Sequence, residues 1–287
     1  MATTSESILN GNQALTAVIN DIAEVAGYIW DKGWGERNGG NITVNITEYA
    51  GSQWNQIPAL KADLPLGCTL PDIKGHFFYA KGTQKRMRDL AKQPMQNGSI
   101  IRISADCAHY DIIADNDIMP TSELPSHLMV QNYLIATGSR YKATLHTHPI
   151  ELVAMSHNRH FLQADKTTKD MLTANRLTRT LWSMIPETLA FAPLGIGIVP
   201  YRMPGSLQLA QATLEQIHDY DVVLWEKHGT FSVGKDIMDA FDQTDVLNKA
   251  ATIYLRARSM GFEPEGMTDK QMAELRHTFA LPDKRIL

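Results

Sequence analysis

The sequence predicts an α/β fold in one domain, built on a central sheet that is largely antiparallel or mixed. Three observations lead there. Strand-like and helix-like segments mix along the chain without the strict βαβ alternation of a parallel sheet. Short strand patterns follow one another between residues 76 and 113, as in a meander. No internal repeat, low-complexity tract or convincing linker divides the 287 residues, and a single α/β domain can reach about 250 residues or somewhat more.

The elements follow in order. The first dozen residues are polar, and residues 1–13 are expected to fray. Leu15, Val18, Ile19, Ile22, Val25, Ala26 and Ile29 keep the i, i+3, i+4, i+7 rhythm of an amphipathic helix, which Gly33 and Gly35 end. Residues 41–46 alternate as a strand. Pro58, Pro65 and Pro71 make residues 50–72 a long irregular loop. Residues 76–80, 99–103 and 110–113 are rich in β-branched and aromatic side chains and predict three paired strands. A helix is expected over 122–136, a strand over 142–148 and a helix over 160–184. A strand rich in Ile and Val follows at 190–201, then a helix at 207–218 and a strand or hairpin at 221–233. Helices over 236–260 and 269–279 complete the pattern.

Composition narrows the function. Twenty-seven Lys and Arg stand against 31 Asp and Glu, a formal charge of −4, which argues against general nucleic-acid binding. A hydrophobic fraction of 44% rules out global disorder. No apolar run approaches the ~18 residues of a membrane span. The start lacks the basic and apolar regions of a signal peptide, so a cytoplasmic protein is expected. Cys68 and Cys107 are too few for a disulfide framework or a Cys-rich zinc site. GxGxxG opening a helix, GxxxxGK[ST] and GxSxG are all absent, so nucleotide binding and serine hydrolysis lack their usual parts.

His146-Thr147-His148 falls in a predicted strand. Side chains two apart share a face there, so the two imidazoles project together. Three ligands and one open position make a catalytic zinc site, and His228, before Gly229, is the best third ligand; His127 is a weaker candidate. Imidazoles without thiolates favour zinc over iron or copper. Spacing alone leaves open the alternative of ordinary polar histidines.

Arg37-Asn38-Gly39-Gly40-Asn41 can form an anion nest, or simply a helix C-cap and turn. Thr121 and Ser122 can hold a phosphate at a helix N-terminus, or act as N-caps. Lys81-Gly82-Thr83 is a third small turn, with Lys85, Arg86 and Arg88 beyond it as a solvated basic face. Glu123, in a helix's first turn, serves either the helix dipole or general-base chemistry beside a metal. Glu187, expected where a helix gives way to a strand, is a second candidate carboxylate.

Four strings together, Gly33-Trp34-Gly35-Glu36-Arg37-Asn38-Gly39-Gly40-Asn41, Pro120-Thr121-Ser122-Glu123-Leu124-Pro125-Ser126-His127, His146-Thr147-His148 and Leu224-Trp225-Glu226-Lys227-His228-Gly229, resemble the class II aldolase/adducin family, in its order, from about residue 17 to 261. The resemblance implies an α/β/α sandwich with a largely antiparallel sheet, assembled as a homotetramer with sites between subunits. It implies one Zn2+ per subunit on His146, His148 and His228, and Glu123 as the catalytic carboxylate. Asn38, Gly39, Asn41, Thr83, Thr121 and Ser122 fall where the family binds phosphate and neighbouring hydroxyls. Glu187 falls where a second acidic residue is supplied by a neighbouring subunit. The implied reaction is reversible cleavage of L-rhamnulose 1-phosphate to dihydroxyacetone phosphate and L-lactaldehyde. Two positions depart from the pattern. The phosphate loop T-G-S-G-K of the family's rhamnulose-phosphate enzymes reads Lys81-Gly82-Thr83-Gln84-Lys85 here: Thr83 keeps the hydroxyl, but Gln84 replaces a glycine and is expected to change how closely the backbone approaches phosphate. Thr147 stands where those enzymes have cysteine and is expected to point to the opposite face.

Overall fold

Asn12 starts the first helix, α1 (Gln13–Asp31), by accepting a hydrogen bond from the Leu15 amide. Its apolar stripe is buried as the rhythm predicts, and Gly33, at φ 71°, turns the chain out of it. The computed structural model describes residues 8–163 and 175–283. Its strands are β1 (Asn41–Asn45), β2 (Lys61–Pro65), β3 (Phe77–Lys81), β4 (Gly98–Ile103), β5 (His109–Ala114), β6 (Ala143–Thr147), β7 (Gly197–Val199), β8 (Val222–Trp225) and β9 (Gly229–Gly234). The remaining helices are α2 (Met87–Leu90), α3 (Pro94–Asn97), α4 (Leu124–Ala136), α5 (Ile150–Met155), α6 (Arg176–Met184), α7 (Pro186–Phe191), α8 (Leu207–Ile217), α9 (Ile237–Ser259) and α10 (Asp269–Thr278).

The strands form one sheet in the order β2-β5-β4-β3-β1-β6-β9-β8-β7. Each pairing is antiparallel except β7 with β8, so the expected largely antiparallel α/β sheet is present. Strand alternation divides the apolar side chains between two faces. Ile42, Val44, Phe77, Tyr79 and Leu145 pack with α1, while Val222 and Leu224 pack with α5, α6 and α9 on the same side. Phe78, Ala80 and Ile101 pack under α4 on the opposite side, where Val223, Phe231 and Val233 meet α4 and α8. Helices therefore cover both faces, giving the α/β/α layers. No helix among the described residues is long and apolar enough to cross a membrane.

Three expectations need correction. Residues 50–72 include the edge strand β2, which lacks an apolar alternation and is held by backbone pairing with β5 across a register shift at Lys61 to Leu64. The expected helix over 160–184 is observed as α6 from Arg176, capped by Asn175; residues 164–174 lie outside the described residues. The strand expected over 190–201 shrinks to the three residues of β7. Pro186 instead starts a helix that runs to Phe191, and Gly195 at φ 77° turns the chain before the strand begins. The missed helices α2, α3 and α5 are single or short turns, too brief to show a period.

Candidate active site

β6 lies near the middle of the sheet, and its alternation sends Ala143 and Leu145 toward α1. His146 projects to the other face, where its ring lies 4.4 Å from that of Trp225. His148 follows the strand's end, held there by its amide, which donates to the Trp34 carbonyl at 2.9 Å. His228 sits in the tight turn joining β8 to β9. Lys227 takes φ 61° in that turn, and its amide donates to Ser156 Oγ at 2.8 Å. Ligand atoms of His146, His148 and His228 lie within 4.8 Å of one another. The pairing expected from the alternation is thus present, joined by the expected third imidazole.

Hydrogen bonding shows whether this cluster suits a cation. His146 Nδ1 lies 2.8 Å from the Thr230 carbonyl, which can only accept, so Nδ1 carries the proton and Nε2 a bare lone pair. His148 Nδ1 lies 2.7 Å from Glu36 Oε1, with the same consequence for a neutral ring. The two Nε2 atoms then face each other at 3.1 Å. Two acceptors at that distance repel unless a positive charge lies between them. Burial, with the neighbouring His148, holds His146 well below the usual imidazole range, and burial brings His228 down to about 4. Both rings are therefore neutral near pH 7, the form a metal takes. Glu36 and Thr230 fix the orientation of the rings, as supporting partners do in metal sites. Three imidazoles with a carboxylate beside them fit a divalent metal.

Glu123 immediately precedes α4, yet its side chain makes no capping hydrogen bond. It is 6% exposed and turns inward: Oε2 is 3.5 Å from His146 Nε2, and Oε1 is 3.7 Å from His228 Nε2. Asn41 Nδ2 donates to its Oε2. Burial raises the carboxyl to about 7, against the opposing pull of Asn41 and Lys81. The helix-dipole alternative therefore does not account for where this side chain points. His127 is a different case. It is fully buried in α4, bonded through Nδ1 to Thr144 Oγ1 at 2.7 Å, with its ring against Phe231; it belongs to the core.

A cleft of about 170 Å³ opens above the imidazoles. Asn38, Gly39, Asn41, Thr83, Thr121 and Ser122 all line it. Backbone bonds stitch these loops together: the Thr83 amide donates to the Met119 carbonyl at 2.8 Å, and the Thr121 amide to the Lys81 carbonyl at 3.0 Å. Gly40 takes φ 77°, and a Cβ there would lie 3.0 Å from the His146 carbonyl, so the loop passes over the strand as closely as a glycine allows. Gln84 keeps a left-handed φ of 59°. The turn therefore has the conformation a glycine would favour, at a strain cost of order 1 kcal/mol.

Glu187 is not among these residues. It lies in the first turn of α7, not at a strand entry, and lines a separate cavity with Lys32, Phe191 and Lys249. Sequence reasoning gave no separate role to Glu36 or Lys81. Glu36 lies inside the Gly33–Asn41 string, and Lys81 ends a strand whose other residues are apolar.

Comparison with known proteins agrees with this geometry. The model of the class II aldolase and adducin N-terminal domain matches residues 20–255. A rhamnulose-1-phosphate aldolase of Bacteroides thetaiotaomicron is 56% identical over 277 residues, covering 96% of this chain and 99% of its own. One from Escherichia coli is 29% identical over 256 residues, covering 88% and 89%. The crystal structure of a sugar-phosphate aldolase from Thermotoga maritima superposes with a TM-score of 0.74 at 30% identity, covering 88% of this chain and all of that one. The matched stretch holds the three imidazoles, Glu123 and every loop of the cleft, and on that match the chain belongs to the class II aldolase/adducin family.

Proposed function

We propose that the protein is a zinc-dependent aldolase that reversibly cleaves L-rhamnulose 1-phosphate to dihydroxyacetone phosphate and L-lactaldehyde, in the cytoplasmic breakdown of L-rhamnose. The observation that carries this is the buried Glu123 carboxylate facing three converging imidazoles at the floor of a cleft rich in hydroxyl and amide donors. The 56% identity to a rhamnulose-1-phosphate aldolase supports the choice of sugar.

His146, His148 and His228 would hold the Zn2+, which when bound supplies positive charge to stabilise the electron pair released by carbon–carbon cleavage. In cleavage the C4 hydroxyl passes its proton to the Glu123 carboxylate as the C3–C4 electron pair passes to the ketone half. Glu123 then delivers a proton to C3, and in synthesis removes it again. Asn38, Gly39, Asn41, Thr83, Thr121 and Ser122 hold the phosphate and adjoining hydroxyls, keeping the reacting carbons in register with Glu123. Lys227 needs no nucleophilic role, since no Schiff base enters this route. Glu187, remote from its own chain's cleft, acts in that of a neighbouring subunit within a homotetramer.

The test is purified protein with L-rhamnulose 1-phosphate, coupled to detection of dihydroxyacetone phosphate, with L-fuculose 1-phosphate in parallel and zinc measured per chain. Faster cleavage of the fuculose ester, or full turnover by metal-free protein, overturns the corresponding part.

A further inference from the structure

Lys81 ends β3, where alternation puts it on the same face as Phe77 and Tyr79. Those two fill the core beneath α1, but Lys81 lines the cleft. It is only 1% exposed. Nζ donates one hydrogen bond, to the Asn38 carbonyl at 3.1 Å, and no other hydrogen bond or ion pair of this ammonium is found among the described residues. An ammonium has three N–H donors, and a buried charge left with one neutral acceptor is costly. The nearest acidic influence is Glu123, whose oxygens are engaged by Asn41 and face His146 and His228. The same cleft offers uncharged donors from Asn38, Thr83, Thr121 and Ser122. These can orient an anion but cannot balance its charge.

We propose that Lys81 is the charged anchor of the substrate's phosphate: its unspent donors bind the dianion, and its charge sets the preference for a phosphorylated over an unphosphorylated ketose. This rests on the aldolase reading for the substrate, not for the anion. Burial lowers the Lys81 ammonium to about 8 while Glu123 pulls it upward, so the group stays cationic near neutral pH. The bond to the Asn38 carbonyl also ties the charge to the loop, Asn38 to Asn41, that lines the cleft. Phosphate and loop order are thereby linked.

The experiment compares the parent with Lys81→Met and Lys81→Thr, the latter a shorter polar replacement in case the longer apolar chain fails to fold. Inorganic phosphate is titrated calorimetrically into zinc-loaded protein, and melting is recorded with and without it. KM and kcat are measured for L-rhamnulose 1-phosphate and for L-rhamnulose. Phosphate binding is expected to weaken roughly 10- to 100-fold in both variants, the scale of a lost hydrogen bond to a charged group. KM for the phosphorylated sugar should rise by a similar factor, the preference over L-rhamnulose should fall, and phosphate should no longer raise the variants' melting temperature. Parental phosphate affinity in either folded variant overturns the proposal. So does a fall in kcat with KM unchanged, which would make Lys81 a prop for the Asn38 loop or a proton donor. If the parent binds phosphate but cleaves no sugar, the aldolase reading fails while the titration still judges Lys81.

Discussion

Gly229→Ala is the substitution whose cost can be worked most directly from the structure. A Cβ on Gly229 would lie 2.4 Å from the Thr147 carbonyl oxygen, 2.8 Å from His148 Cδ2 and 2.9 Å from His146 Cε1, where ordinary contact begins near 3.4 Å. The carbonyl cannot swing aside, because Thr147 is locked in register against Thr230 across the β6–β9 ladder. The backbone must open by about 1 Å, or both imidazoles must tilt. Overpacking of this kind costs about 1–3 kcal/mol. At ~2–4 °C per kcal/mol the melting temperature should fall by several degrees, up to roughly 10 °C. Tilting two rings held by Thr230 and Glu36 should weaken zinc by roughly 10- to 100-fold, the usual result of disturbing a ligand's support. The assay is melting of metal-free and zinc-loaded protein, with zinc affinity from competition against a chelator. Gly39→Ala is the informative companion. Its Cβ would meet His148 Cε1 at 2.9 Å and the Glu36 carbonyl at 3.0 Å, so it should weaken zinc with a smaller loss of metal-free stability. A Gly229→Ala protein with parental melting and parental zinc affinity would refute the reasoning.

Three further outcomes are expected. Glu123→Gln should keep zinc and stability, since the side chain makes no capping bond, while turnover falls ~10²–10⁴-fold; parental turnover would remove Glu123 from the mechanism. Ser122→Ala and Asn38→Ala should each raise KM roughly 10- to 150-fold, a lost hydrogen bond to a charged group, and unchanged substrate affinity would dismiss the phosphate assignment. Burial lowers His127 to about 3 from an unfolded value of 6.5, so below 6.5 the unfolded state binds a proton that the folded state refuses. Its contribution is complete above pH 6.5 and is lost as pH falls toward 3, at about 1.4 kcal/mol per pH unit. Urea unfolding should therefore show a shallower acid slope in His127→Gln than in the parent, and identical slopes would contradict it.

The parts of the site carried by periodicity were legible in the sequence. The two-residue spacing of His146 and His148 gives a shared face wherever a strand forms, and the stripe from Leu15 to Ile29 gives α1 its buried side. Long-range placement was not legible. Glu123 read equally as a helix-end charge or a base, and only the missing cap bond and the nearby imidazoles separate the two. Lys81 belongs by residue type to the solvated basic face of Lys85 to Arg88, yet β3 carries it beneath the Asn38 loop. Local sequence also favoured a strand across residues 190–196, but Pro186 and Gly195 determined the path instead.

The orienting contacts of the imidazoles and of Glu123 join residues far apart in the chain: His148 to Glu36 across 112 residues, His146 to Thr230 across 84, and Glu123 to Asn41 across 82. Lengthening such a closure adds little free energy, about 0.6 kcal/mol per doubling, but contacts of this span form slowly. No short stretch of chain can preassemble the centre. A chain emerging from the ribosome would have no third imidazole until residue 228, and no Thr230 carbonyl to orient His146 until β9 has paired with β6. Tight metal retention thus reports closure of the middle of the sheet, and metal offered to a half-made chain would meet scattered histidines instead of a binding site.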